Sequence, residues 1–187
     1  PMSKSDDHKG PKSISRRKVI AGTATAIAAP FILKYTRAYA ATPTIKIGHV
    51  SPRTGPLAGF GEADGYTLGA IKKLFAGGLA NNGKSVNIQI ISKDTQSNPN
   101  RAAEVAAELI LRDEVDIIVA ASTPDTTNPV ADQAEVNEIP CITTDCPGQP
   151  YFFGRNGNPA KGFDWTYHFF WGLEDVIGAF LALWNGS

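Results

Sequence analysis

V-D-I-I-V-A-A-S-T-P-D-T-T-N-P, Val115–Pro129, decides how this chain folds. Its first half, Val115–Ala121, is apolar almost throughout and rich in β-branched residues, the composition of a strand buried on both faces. Its second half, Ser122–Pro129, gathers Ser122, Thr123, Thr126 and Thr127 with Asp125 and two prolines, which predicts a loop. Val130–Val136 then continues in helical register. A doubly buried strand that runs through a polar loop into a helix is the repeating unit of an α/β domain.

The same unit recurs on both sides. Upstream, T-I-K-I-G-H-V (Thr44–Val50) alternates apolar and polar residues and predicts a strand. The Gly- and Pro-rich S-P-R-T-G-P-L-A-G-F-G (Ser51–Gly61) predicts a loop. Ala63–Ala76 predicts a helix, with Leu68, Ile71, Leu74 and Phe75 at helical spacing, closed by Gly77-Gly78 and the Asn81–Gly83 turn. Val86–Ile91 predicts a strand and Asp94–Pro99 a loop, and Pro99 suits the first turn of a helix over Asn100–Arg112. Downstream, Ile139–Thr144 predicts a fourth strand, followed by the turn Asp145–Gly148. The order β-α-β-α-β-α-β predicts a doubly wound parallel sheet, whose ligands bind in the loops at the carboxyl ends of the strands.

Composition excludes several classes of function. The 187 residues carry 18 Lys+Arg against 18 Asp+Glu, so the formal net charge is zero. That leaves no electrostatic footprint for nucleic acid. Two cysteines and three histidines are too few for a disulfide framework or a multi-site metal protein. Cys141 and Cys146 would be bridged only if the chain folded back sharply between them. His49 falls inside a strand, where a satisfied core histidine is the default, and His168 lies in the aromatic run Trp165–Trp171. No nucleophile elbow or zinc-binding H-E-x-x-H is present, and no cofactor is expected.

The first forty residues read as an address. Lys4, Lys9 and Lys12 lie in a polar start, S-I-S-R-R-K-V-I places Arg16 beside Arg17, and a weakly apolar Val19–Leu33 leads to A-Y-A at Ala38–Ala40. These parts compose a secretory signal peptide, and the paired arginines resemble the twin-arginine signal. Cleavage is expected after Ala40. The apolar run, interrupted by Pro30, is short of the roughly 20 residues of a membrane span.

The strand-end loops supply the candidate site. Phe60 in the first loop is placed as a wall or lid on a small solute. Ser122, Thr123, Asp125, Thr126 and Thr127 offer hydroxyls and free N–H groups at a helix start, a chemistry that suits a carboxylate; the plainer alternative is helix capping by Asp125 or Thr126. Asp145 is placed to accept an amine, or else is a turn residue before Pro147-Gly148. Trp171 and its aromatic neighbours would grip a solute or pack in the core.

The segments I-K-I-G-H-V-S-P-R-T-G-P-L-A-G-F-G, I-I-S-K-D-T-Q-S-N-P, R-A-A-E-V-A-A-E-L-I, Val115–Ala131 and I-P-C-I-T-T-D-C-P, in this order and spacing, resemble the type I periplasmic solute-binding proteins of ABC importers, in the branched-chain amino-acid receptor group. The resemblance covers about residues 44–184. It implies a two-lobed α/β receptor, not an enzyme, that holds a solute between its lobes. Mapped by position, it places contacts on Phe60, Pro124–Thr127, Asp145–Pro147 and Trp171–Asp175. Pro124 stands where the amino-acid receptors tend to have a hydroxyl, and the Trp165–Trp171 run is unusually aromatic. The resemblance further implies a signal over 1–40, a first lobe over 41–172, and the start of a hinge or second lobe over 173–187, the rest being truncated. The expected partners are an amino acid or small organic acid, an ABC permease of the inner membrane and the Tat translocase, with no nucleic acid, in the periplasm. The alternatives are a periplasmic ligand sensor on the same fold and an exported α/β enzyme.

Overall fold

The computed structural model describes residues 42–186. Arg16, Arg17, Ala38 and Ala40, and with them the signal and its cleavage, lie outside the described residues.

The strands are β1 (Thr44–Ser51), β2 (Leu79–Asn81), β3 (Lys84–Asp94), β4 (Ile117–Ala121), β5 (Cys141–Thr144) and β6 (Thr166–His168). The helices are α1 (Asp64–Leu74), α2 (Pro99–Leu111), α3 (Pro124–Val136), α4 (Gly148–Gly154) and α5 (Leu173–Trp184), with a 3-10 turn at Ala58–Gly61. Among the described residues they form one sheet in the order β2-β3-β1-β4-β5-β6, parallel except for β2. The doubly wound α/β class predicted from the sequence is the observed one, with two more strands than predicted. β2 is the antiparallel arm of a hairpin whose turn, Asn82-Gly83, has positive φ at both residues (48° and 77°). That is the geometry Asn-Gly favours because its twist matches the strands it joins. The predicted turn is there, but the three residues before it pair as well. β6 emerges from the aromatic run because its backbone completes the edge of β5, with Cys141 level with Thr166.

The alternating residues of β1 separate the two faces. Gly48 and Val50 are buried against α2, and a Cβ on Gly48 would sit 3.0 Å from Leu109 Cδ1. This glycine lets α2 approach the sheet closely. α2 opens as predicted: Asn98 Oδ1 accepts the Arg101 N–H at 3.0 Å and Pro99 occupies the first turn. Val105, Ala106 and Leu109 of α2, Val130 and Ala134 of α3, and Ile118 of β4 complete one core. Each large side chain there stabilises by about 1.5–3 kcal/mol. A second cluster joins Ala131, Cys146 and Tyr151, with Phe163 against it. Its organiser is Arg155, whose guanidinium lies 4.7 Å from the Tyr151 ring centroid and 4.0 Å from that of Phe163. Arg155 donates to Asp132 Oδ1 (2.6 Å) and Thr166 Oγ1 (2.9 Å), tying α4 to α3 and β6.

α1 covers the opposite face and contributes no buried residue. α5 likewise buries none, and Leu183 and Trp184 are largely exposed. Among the described residues no helix is long and apolar enough to cross a membrane.

Candidate functional site

β1 leads through α1 to β3 on one side of it, and β3 leads through α2 to β4 on the other. The winding therefore reverses between β1 and β4. At such a reversal the two loops diverge and leave a crevice at the carboxyl ends of the strands. Here the loops are Pro52–Glu62 after β1 and Ser122–Thr123 after β4.

The β4 turn differs from its prediction. α3 starts at Pro124, not near Val130, so Asp125, Thr126, Thr127 and Asn128 form its first turns and not a loop. Pro124 presets the backbone for a first helical position. Pro129 is accommodated inside the helix, without the N–H that would have bonded the Asp125 carbonyl. The N-cap is Thr123, neither Asp125 nor Thr126, and its side chain makes no capping hydrogen bond. Thr123 instead accepts through its carbonyl oxygen from the Thr126 and Thr127 N–H groups (3.3 and 3.0 Å). Ser122 Oγ, Thr123 Oγ1, Thr126 Oγ1 and Thr127 Oγ1 are all buried with no hydrogen-bond partner among the described residues. Thr126 and Thr127 lie inside the lobe, 1% exposed each, while Asp125 is exposed. An unpartnered buried hydroxyl costs about 1–3 kcal/mol, so four together call for further partners, whether ordered water or a bound solute.

The first loop is fastened by two residues that its own sequence does not reveal. Asp94, the last residue of β3, accepts the Arg53 N–H (2.9 Å), the Thr54 N–H (3.3 Å), the Thr54 hydroxyl (2.7 Å) and the Gln96 N–H (2.8 Å). Burial pushes its carboxyl up, but these hydrogen bonds outweigh it and hold the group below its ordinary value. Ser97 Oγ donates to the Thr54 carbonyl (2.7 Å) and accepts the Leu57 N–H (3.0 Å). Gly55, at φ 87°, passes so close that a Cβ would lie 2.7 Å from Ser97 Oγ. Phe60 stands on the 3-10 turn of this loop, 43% exposed.

Below the crevice His49 is a satisfied, mostly buried histidine. Its Nδ1 is 3.1 Å from Ser92 Oγ and its Nε2 3.7 Å from Asp64, which also accepts from the Ser51 hydroxyl. Burial lowers its pKa most, Asp64 opposes this, and Arg53 lowers it further.

The remaining predicted residues follow the later strands. Asp145 ends β5 in the left-handed region, φ 72°, which a short polar side chain tolerates, with its Oδ1 3.4 Å from Thr144 Oγ1. Cys141 and Cys146 are both free and buried, so no bridge joins them. Burial pushes their thiols up to about 12 and about 11. His168 packs flat on Tyr151 at 4.1 Å and lies 2.9 Å from both Thr143 Oγ1 and the Cys146 carbonyl. Trp171, after β6, is half exposed and leans on Phe170 at 4.3 Å. It lies beyond β6, two strand spacings or roughly 10 Å past β4. The strand order thus sets Phe60's loop and Ser122–Thr123 after adjacent strands at the reversal of the winding, Asp145 one strand over and Trp171 at the sheet edge. Among the described residues no group of His, Cys, Asp and Glu could hold a metal ion.

A family profile described as periplasmic binding protein matches residues 44–184. The chain belongs to that family. This periplasmic binding protein also matches solved structures. The substrate-binding protein LivJ of a branched-chain amino acid transporter from Streptococcus pneumoniae, solved with isoleucine, superposes with a TM-score of 0.57 at 24% identity, over 74% of this chain and 38% of that one. A solute-binding protein of an ABC transporter from Rhodopseudomonas palustris, solved with 3,4-dihydroxybenzoic acid, gives 0.57 at 23% identity, over 76% and 37%. A type 1 periplasmic binding protein from Bordetella pertussis gives 0.58 at 22%, over 74% and 38%. The chain therefore spans less than two fifths of the length of these structures. A comparison with curated proteins gave no match.

Proposed function

We propose that this periplasmic binding protein contributes one jaw of a non-enzymatic solute receptor, which delivers an amino acid or related small organic acid or amide to an ABC permease. The observation that carries this is the set of buried, unpartnered hydroxyls at the β4–α3 turn, beside the reversal of the winding. Pro124 has no N–H and the Thr126 and Thr127 N–H groups are taken by the Thr123 carbonyl, so the hydroxyls, with the positive end of the α3 dipole, are what this turn offers a solute carboxylate. Ser122 and Thr123 stand nearest the crevice, Phe60 forms a wall, and Asp145 lies within reach of an amine. The solved relatives that hold isoleucine or a dihydroxybenzoic acid support a small-molecule ligand of this size. The Arg16-Arg17 start supports export through the Tat translocase into the periplasm, with cleavage after Ala40.

Titration calorimetry with a panel of amino acids and aromatic acids tests the site. Ser122→Ala and Thr123→Ala are each expected to weaken the best ligand about fivefold, the loss of one net hydrogen bond. Unchanged affinity in both removes the β4–α3 turn from the site. N-terminal sequencing of exported material should begin Ala41-Thr42-Pro43.

A further inference from the structure

Arg53 is a charged residue whose backbone the fold fastens and whose guanidinium it leaves unpaired among the described residues. It lies two residues past the end of β1. The β1/β4 ladder ends with Val50 level with Ala120. Arg53 and Thr123 therefore each lie three residues past the last paired positions of these neighbouring strands, on the two loops that flank the crevice. Its backbone is held by Asp94 through the Arg53 N–H and by the Thr54 contacts next to it. Its guanidinium is exposed and has no ion pair or hydrogen bond among the described residues. Its charge nonetheless reaches into the lobe, where it helps lower the pKa of His49.

The acidic groups around it are arranged differently. Asp94 is occupied by four donors, and Asp64 by Ser51 and His49. Glu62 and Asp125 are exposed, one just past the 3-10 turn and one on the first turn of α3. At the strand ends themselves, the unengaged side-chain groups are therefore a guanidinium on the β1 side and the Ser122 and Thr123 hydroxyls on the β4 side. These groups, with the α3 N-terminus behind them, favour an anion.

Resting on the proposed solute-binding crevice, we propose that Arg53 is a specificity-determining residue that holds the solute's carboxylate opposite Ser122 and Thr123, so that the site takes small organic carboxylates whether or not they carry an amine. Its guanidinium supplies the charge and the hydroxyls fix the orientation.

Ligand-observed NMR with the 187-residue chain tests this, using benzoate (carboxylate alone), isoleucine (both groups) and 3-methylbutylamine (amine alone). Benzoate and isoleucine are expected to bind within tenfold of each other, and the amine not at all. Arg53→Gln is expected to weaken benzoate about tenfold and to remove the salt dependence of its binding, and Arg53→Lys to restore part of both. Because Arg53 is exposed, circular dichroism should find both variants folded. A preference for isoleucine over benzoate of more than tenfold, or benzoate affinity unchanged in Arg53→Gln, overturns the role of Arg53. If Ser122→Ala and Thr123→Ala weaken binding in that case, the crevice itself stands. If none of the probes binds, the crevice and the role of Arg53 fall together.

Discussion

The two faces of the sheet are built on opposite terms. On the face under α2 and α3, Val50, Leu109, Ile118 and Val130 are at most 1% exposed, and Gly48 is a glycine because α2 sits directly on it. On the face under α1, Ile45 and Ile142 remain 37% and 38% exposed, and α1 itself buries nothing. A cavity of about 280 Å³, lined by Ile47, His49, Asp64, Leu68 and Ile71 among others, remains between α1 and the strands. Parallel sheets are normally covered on both faces. The stability of the lobe therefore rests on one face, and the crevice is positioned by the strands and helices anchored there.

That comparison can be broken by substitution, and the largest effect is expected at Leu109. Leu109→Ala should cost about 3–5 kcal/mol, since it empties the centre of the packed face, and urea unfolding would measure it. Arg155→Met should cost about 2–3 kcal/mol, because it leaves Thr166 and Asp132 without their shared donor while retaining most of the volume between Tyr151 and Phe163. Gly48→Ala should cost about 1–2 kcal/mol, the cost of displacing α2 by a few tenths of an ångström. On the other face, Ile142→Ala should change stability by less than about 1 kcal/mol in the same assay. A loss at Ile142 equal to that at Leu109 would abolish the distinction.

Acid sharpens it further. His49 and His168 both have folded-state pKa values below the ordinary imidazole value of about 6.5, chiefly through burial. As pH falls, the unfolded chain therefore takes up protons first. Their contribution is constant above about pH 7, and stability declines as pH drops through about 6.5. Thermal unfolding from pH 8 to pH 5 should show this decline, and His49→Gln should reduce it.

Much of this was legible in the sequence. Strand alternation over Thr44–Val50, the apolar run to Ala121 and the Asn98-Pro99 start of α2 all specify local structure through local physics, and the fold class followed. The first turns of α3 were not legible because two prolines and a run of hydroxyls look like a loop, while a proline at the first position in fact starts the helix. β6 was hidden because a three-residue edge strand depends on the partner it pairs with and not on its own aromatic side chains. At the proposed site, Ser122 and Thr123 stood out by their place after a buried strand. Asp94, Ser97 and Arg53 could not, because the partners of Asp94 and Ser97 include residues some forty positions away, and the importance of Arg53 comes from lacking one.

The clasp at Asp94 and Ser97 has a consequence for anyone recombining members of this family. The loop after β1 and the loop after β3 behave as a single cassette. A Ser51–Gly61 segment transplanted from a relative would arrive without its matching fasteners, and its backbone N–H groups would meet the wrong acceptors. Under the proposed function, specificity would be inherited in blocks of two loops, and swaps that respect this pairing should preserve the geometry of the crevice while exchanging its walls.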